Sequence, residues 1–168
     1  MIKSFEGKSP KIAPSALIHD SCLILGDVEI GENSSVWPGA VIRGDVARIK
    51  IGDNVHIQDN SVVHTEFGSE LGNNIVIGHS VVVHVSKLGS NCMVGNNSTL
   101  LDNSEIGDWC MIAAGSVIPP ETKFPDRSLI MGTPAKRKSD ISEKHLEQIQ
   151  YSVEWYAKMV QRYKNSGY

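Results

Sequence analysis

Along most of this chain an aliphatic residue returns at every sixth position. Ile12, Ile18, Ile24, Ile30, Val36 and Ile42 open successive hexads, and the register resumes at Ile51, Ile57 and Val63 after a short insertion. A second insertion precedes Leu71, Ile77 and Val83, and a last run follows through Leu88, Val94, Leu100, Ile106, Ile112 and Ile118. Four places after the hexad openings stand small or β-branched residues: Ala16, Cys22, Val28, Ser34, Ala40, Val55, Ser61, Val81, Cys92, Ser98, Cys110 and Ser116. A period of six is neither the helical 3.6 nor plain strand alternation, and repeats of this kind signal a β-helix solenoid. The first and fifth residues of each hexad then point inward and the others outward. Glycine pairs at Gly26, Gly31, Gly52, Gly72 and Gly107 recur near hexad starts, where they are expected to supply the bends of a triangular coil.

The pattern divides the chain. Residues 1–10 read as an irregular lead, and the all-β solenoid is expected to fill a domain of residues 1–120. Pro119, Pro120 and Pro125 break the repeat, and Gly132-Thr133-Pro134 adds another turn. Within residues 121–168, a connecting turn leads to a C-terminal α-helix from Ser142 to about Lys164, with Leu146, Ile149, Val153, Tyr156, Ala157 and Val160 on one stripe. Ser142 is a natural helix cap, although His145 stands where a capping box would want Glu or Gln. Such a stripe must cover apolar surface, and we expect it against the outside of the solenoid.

Composition narrows the function. A formal net charge of −3 and a pI near 6.0 give no electrostatic footprint for nucleic acid. No apolar run approaches a membrane span and no leader segment stands out, so a soluble, cytoplasmic chain is expected. Cys22, Cys92 and Cys110 all fall in the inward fifth slot, where free cysteine packs as a small hydrophobe. An odd count also suits a reducing compartment better than a disulfide framework.

Three histidines carry the chemistry. His64 and His84 are each the second residue of their hexads, three hexads apart plus the two extra residues of the 67–70 loop. If three hexads make one coil, their rings share a face one coil apart, within reach of one ion with Zn–N of ~2.0–2.1 Å. His79 is a third residue and projects around the corner from that pair. Catalytic zinc ordinarily takes three protein ligands. A homotrimer with His64 and His84 of one subunit meeting His79 of the next supplies three equivalent intersubunit sites. His19, His56 and His145 show no such register and read as surface or packing residues.

The stretch Ser35-Val-Trp-Pro-Gly-Ala-Val-Ile-Arg-Gly-Asp45, then Ile57-Gln-Asp-Asn-Ser-Val-Val-His64, then Gly78-His79 and His84, resembles the γ-class carbonic anhydrases, left-handed parallel β-helix trimers built of hexapeptide repeats. Gly132-Thr-Pro-Ala and the terminal helix resemble that family's short bacterial members. The resemblance implies that His64, His79 and His84 bind zinc, or alternatively iron or cobalt. It implies that Arg43 and Asp45 form an interface ion pair, that Asp59 joins that network, that Gln58 hydrogen-bonds metal-bound solvent, and that Tyr156 lies near the metal. The chemistry agrees, because a zinc held by neutral histidines lowers the pKa of its water to about 7 and generates hydroxide to attack carbon dioxide, giving bicarbonate. The chain departs from longer family members after His64. Only Thr65–Glu70 stands where they carry an acidic proton-shuttling loop, with Glu66 and Glu70 as the substitutes on offer. Val46 replaces an acidic residue, and His56 stands where asparagine is common.

Two other readings stay open on sequence. One is an acyltransferase or thioesterase acting on acyl-coenzyme A, which on this scaffold usually needs one catalytic histidine and a long extruded loop. The other is a non-catalytic metal-binding or scaffold trimer, which the missing acidic loop favours.

Overall fold

The hexads fold into short strands that stack coil on coil. The structure, a computed structural model describing residues 1–167, carries one sheet with seven parallel strands in the order Leu17–Ile18, Ser35–Val36, Val55–Ile57, Ile75–Ile77, Cys92–Val94, Met111–Ile112 and Ser128–Gly132. The other two faces of the solenoid join into one further sheet, because the strands Leu23–Ile30 and Val41–Ile51 run continuously around the bend between them. On the first face Ile24, Ile42, Val63, Val83, Leu100 and Ile118 stack in register. Ile30, Ile51, Leu71, Leu88 and Ile106 do so on the second. Val36, Ile57, Ile77, Val94 and Ile112 do so on the third. All are buried in one continuous core. The serines of the fifth slot add to it: Ser34 Oγ donates to the Gly52 carbonyl at 2.9 Å and accepts from the Val55 amide at 2.9 Å, joining neighbouring coils. A buried hydroxyl is stable there because both its donor and its acceptor are used.

Four of the five glycine pairs do mark bends, which open at Glu32, Asp53, Asn73 and Asp108, but the glycines themselves are not the left-handed residues. Among the five glycines of the Gly pairs, only Gly26 has a left-handed φ (+80°). The recurrent left-handed residue is the fourth of the hexad, commonly asparagine, as at Asn33, Asn54, Asn60, Asn74, Asn91, Asn97 and Asn103. Asparagine tolerates that conformation better than most residues, and its amides form a ladder, with Asn54 donating to Asn74 at 3.1 Å and Asn74 to Asn91 at 3.0 Å. Glycine is needed for close approach instead: a Cβ on Gly52 would lie 2.2 Å from Asn73 Oδ1 and 2.6 Å from the Gly72 carbonyl oxygen.

The repeat also runs past residue 120. Phe124 and Ile130 continue the six-residue spacing from Ile118 and pair in parallel with Ile106 and Ile112. Pro119, Pro120 and Pro125 occupy bends rather than ladder positions, so they do not interrupt the strands. The strand Ala135–Asp140 then turns back antiparallel on Ser128–Gly132. At the other end the lead is partly regular, since Ile2–Lys3 pairs with Ile24–Leu25. The helix Glu143–Asn165 buries Ile149 and Val160 and lies across the outer side of the eight-stranded sheet that Ala135–Asp140 completes, packing on Leu17, Trp37 and Met111. His145 completes its start after all, because the Ser142 amide donates to His145 Nδ1 at 3.1 Å. None of the described helices is long and apolar enough to cross a membrane.

All departures from the six-residue step fall at one corner. From the first face to the second, nine residues separate Ile42 from Ile51, eight separate Val63 from Leu71, and five separate Val83 from Leu88. The other two corners keep six throughout, from Ile12 to Ile130.

Candidate metal centre

Arg43, His64 and His84 form a column on the outer side of the first face. Arg43 pairs in register with His64, and the Val63–Val83 pairing places His84 on the next coil. The two imidazoles meet edge to face with centroids 5.1 Å apart, and His64 Nδ1 lies 3.4 Å from His84 Nε2. Their remaining nitrogens face carboxylates. His84 Nδ1 bonds Asp102 Oδ1 at 2.9 Å, and His64 Nε2, which is buried, lies 3.2 Å from Asp45 Oδ1 but off the line of a hydrogen bond. Asp45 is itself gripped by Arg43 Nη1. Burial pushes the Asp45 carboxyl up, but the Arg43 hydrogen bond and charge hold it on balance below its usual range.

This donor set fits a metal ion. With a proton held on His84 Nδ1 by Asp102, His84 Nε2 keeps its lone pair facing His64 Nδ1, and a His64 protonated on the Nε2 beside Asp45 would offer a second. Two nitrogens on one tetrahedral zinc, each at ~2.0–2.1 Å, lie about 3.3–3.4 Å apart. The observed separation matches that spacing. Asp102 was not singled out from the sequence. It follows Leu101, the residue one coil beyond His84 in register, so only the turn of that corner brings its carboxylate to the ring. Glu66 also reaches this cluster, with carboxylate oxygens 4.0 Å from His64 Nδ1 and 3.9 Å from His84 Nδ1. Glu70, its rival in the sequence reading, is on the second face and pairs with Lys50 at 3.7 Å.

His79 stands elsewhere. It sits at the opposite corner of the first face, 49% exposed, with Nδ1 3.0 Å from Asp59 Oδ2. Asp59 therefore engages His79 within the chain rather than the Arg43–Asp45 pair. Gln58, buried, precedes it at the same corner. Tyr156 makes no contact with the His64–His84 pair. Its ring stacks on His56 with centroids 5.5 Å apart and meets Trp37 edge-on at 5.7 Å. Burial, and after it the charge of Asp59, raises its phenol pKa. The site residues thus split into two clusters on the two edges of one face: His64, His84, Arg43, Asp45, Asp102 and Glu66 on one, and Gln58, Asp59 and His79 on the other.

His56 is fully buried under the helix, bonded through Nδ1 to Ser35 Oγ at 2.8 Å. Burial depresses its pKa from 6.5 to about 4, with the backbone of Val153 opposing. The unfolded chain takes up this proton below pH 6.5 and the folded chain only near pH 4, so stability falls as pH drops through that window. The loss is about 2 kcal/mol by pH 5 and about 3 kcal/mol by pH 4. Urea midpoints at pH 7 and pH 5 check this: His56→Gln should show a markedly smaller fall than wild type, and equal falls would refute it.

Comparison with known proteins bears on this geometry. Residues 9–44 and 85–120 match the family model for the bacterial transferase hexapeptide (six repeats). The chain is 40% identical over 166 residues to a carbonic anhydrase of Geobacillus kaustophilus, covering 98% of this chain and 91% of that one. It is 34% identical to the mitochondrial gamma carbonic anhydrase 2 of Arabidopsis thaliana, of whose length it spans 58%. A crystal structure of a hexapeptide transferase family protein from Anaplasma phagocytophilum superposes with a TM-score of 0.93 at 36% identity, covering 96% of this chain and 97% of that one.

Proposed function

The chain belongs to the γ-class carbonic anhydrase family of hexapeptide-repeat proteins, and we propose that it hydrates carbon dioxide to bicarbonate at a metal shared between the subunits of a homotrimer. The observation that carries this reading is the 3.4 Å approach of His64 Nδ1 to His84 Nε2, with carboxylates behind both rings. His64 and His84 of one subunit, with His79 of the next, would hold the ion, taken here as zinc with iron or cobalt as alternatives. Such an ion acidifies bound water to a pKa of about 7 and so supplies a nucleophile at neutral pH.

The chain's own residues do the rest. Asp102 fixes the tautomer of His84 and keeps Nε2 free to ligate. Arg43 holds Asp45, which braces His64. Gln58 offers an amide to orient the nucleophile, and Glu66 is the nearest carboxylate able to accept a proton. The two clusters lie on opposite edges of one face, so joining one to the other between subunits is a head-to-tail contact that closes into a ring. An acyl-transfer reading has less behind it, since the widest corner exceeds six residues by only three between Ile42 and Ile51.

Metal analysis and stopped-flow carbon dioxide hydration on anaerobically purified protein test the proposal. We expect one bound metal for each His64–His84 pair and a turnover that rises steeply with imidazole buffer, because a single exposed glutamate is a sparse proton path. Full zinc occupancy with no hydration at any buffer concentration would overturn the enzyme reading in favour of a metal-binding or scaffold role.

A further inference from the structure

We propose that a single chain holds a divalent cation by itself, through His64, Glu66 and His84, before a neighbour supplies His79. The inference rests on the reading of His64 and His84 as metal ligands and adds Glu66 to them.

One donor atom from each of these three side chains lies within 4.8 Å of the others. The two imidazoles are already spaced for one ion, and His64 is locked in place with its side chain only 6% exposed. Glu66 is the movable partner. It is 50% exposed and makes only long contacts, at 4.0 Å to His64 Nδ1 and 3.9 Å to His84 Nδ1. Rotation of its side chain would carry a carboxylate oxygen toward His64 Nδ1 and the face between the two rings, all three donors being already within 4.8 Å of one another.

The placement is built into the coil. The enlarged corner between Val63 and Leu71 carries Glu66 back over the rings. Buried Thr65 anchors that bend, accepting from the Phe67 amide at 3.2 Å, and Gly68 turns it with φ +93°. The other two carboxylates nearby are committed, Asp45 to Arg43 and Asp102 to His84 Nδ1. His79 is committed within its own chain to Asp59. Two histidines and a carboxylate form a recognised set for zinc. Metal uptake by the free chain would therefore precede assembly, with Glu66 ceding its place when His79 of a neighbour arrives.

Cobalt(II) is the probe, with equilibrium dialysis for stoichiometry and visible absorption for the ligand set. Wild type, His79→Ala, and His79→Ala combined with Glu66→Gln are compared after chelator stripping. Both substituted side chains are about half exposed, so the core is untouched, and circular dichroism melts verify folding. His79→Ala should still bind about one cobalt per chain, and adding Glu66→Gln should weaken that binding at least tenfold, since even partners outside the ligand shell are worth 10–100-fold. Equal binding by the two variants overturns the proposal, as does wild type that binds while His79→Ala does not. In both of those cases the intersubunit histidine site stands. Wild type that binds no cobalt defeats that site and this inference together.

Discussion

His64→Ala should strip the protein of chelator-resistant metal and reduce carbon dioxide hydration to the buffer rate. His64 is the least replaceable group of the cluster, because its imidazole is nearly buried, faces His84 Nε2 at 3.4 Å and is braced by Asp45 at 3.2 Å. Alanine removes a ligand and leaves His84 without the second imidazole it faces. A single substitution does not show whether the site is shared, but mixing does. His64→Ala chains keep His79, and His79→Ala chains keep the His64–His84 pair. Refolded together, they should recover chelator-resistant zinc, which the weaker binding of His79→Ala through its own chain does not supply and His64→Ala lacks. Every mixed ring has one intact junction, roughly one site in three. Verified mixed trimers that hold no tight zinc would mean that the three histidines do not meet between subunits.

Gln58→Ala should leave the metal in place and slow hydration by about 10²-fold, an increase of about 2.7 kcal/mol in the barrier. Gln58 is positioned by its backbone, its amide donating to the Ile77 carbonyl at 3.0 Å and its carbonyl accepting from Ser61 at 3.3 Å. These bonds survive substitution, so the local backbone should hold, and a circular dichroism melt separates any packing loss at this buried position from the loss in hydration. Because orientation matters in the transition state, the loss should appear in kcat more than in KM. Unchanged hydration at full metal occupancy would remove Gln58 from the mechanism.

Register explains what could be read from the sequence and what could not. The ladders of Ile, Val and Leu are visible because each inward position repeats without local exceptions, and the same count places His84 over His64. The same count one coil further lands on Leu101, so Asp102, its neighbour, is brought to His84 by the turn of the corner and not by register, whereas steps of six and twelve from Ile118 reach Phe124 and Ile130 across the prolines. Other features depend on information that no repeat carries. His56 occupies an outward position and is buried only because the helix crosses that one of three outward faces. Asp59 bonds His79 because the coil between Ile57 and Ile77 stacks third position on third position, whereas its pairing with Arg43 would need another subunit. The choice of Glu66 over Glu70 turns on the path of a four-residue bend.

The uneven corner has a consequence for how such a chain can change over time. Core and chemistry draw on different stretches of polypeptide: residues may be gained or lost after Asp45, His64 or His84 while the two regular corners return every ladder to the same phase. Length mutations elsewhere would shift an inward row outward and be lost to misfolding. The edge that carries His64 and His84 is thus where this spiral can vary in length at little cost, so reactivity there can drift without the framework having to be rebuilt.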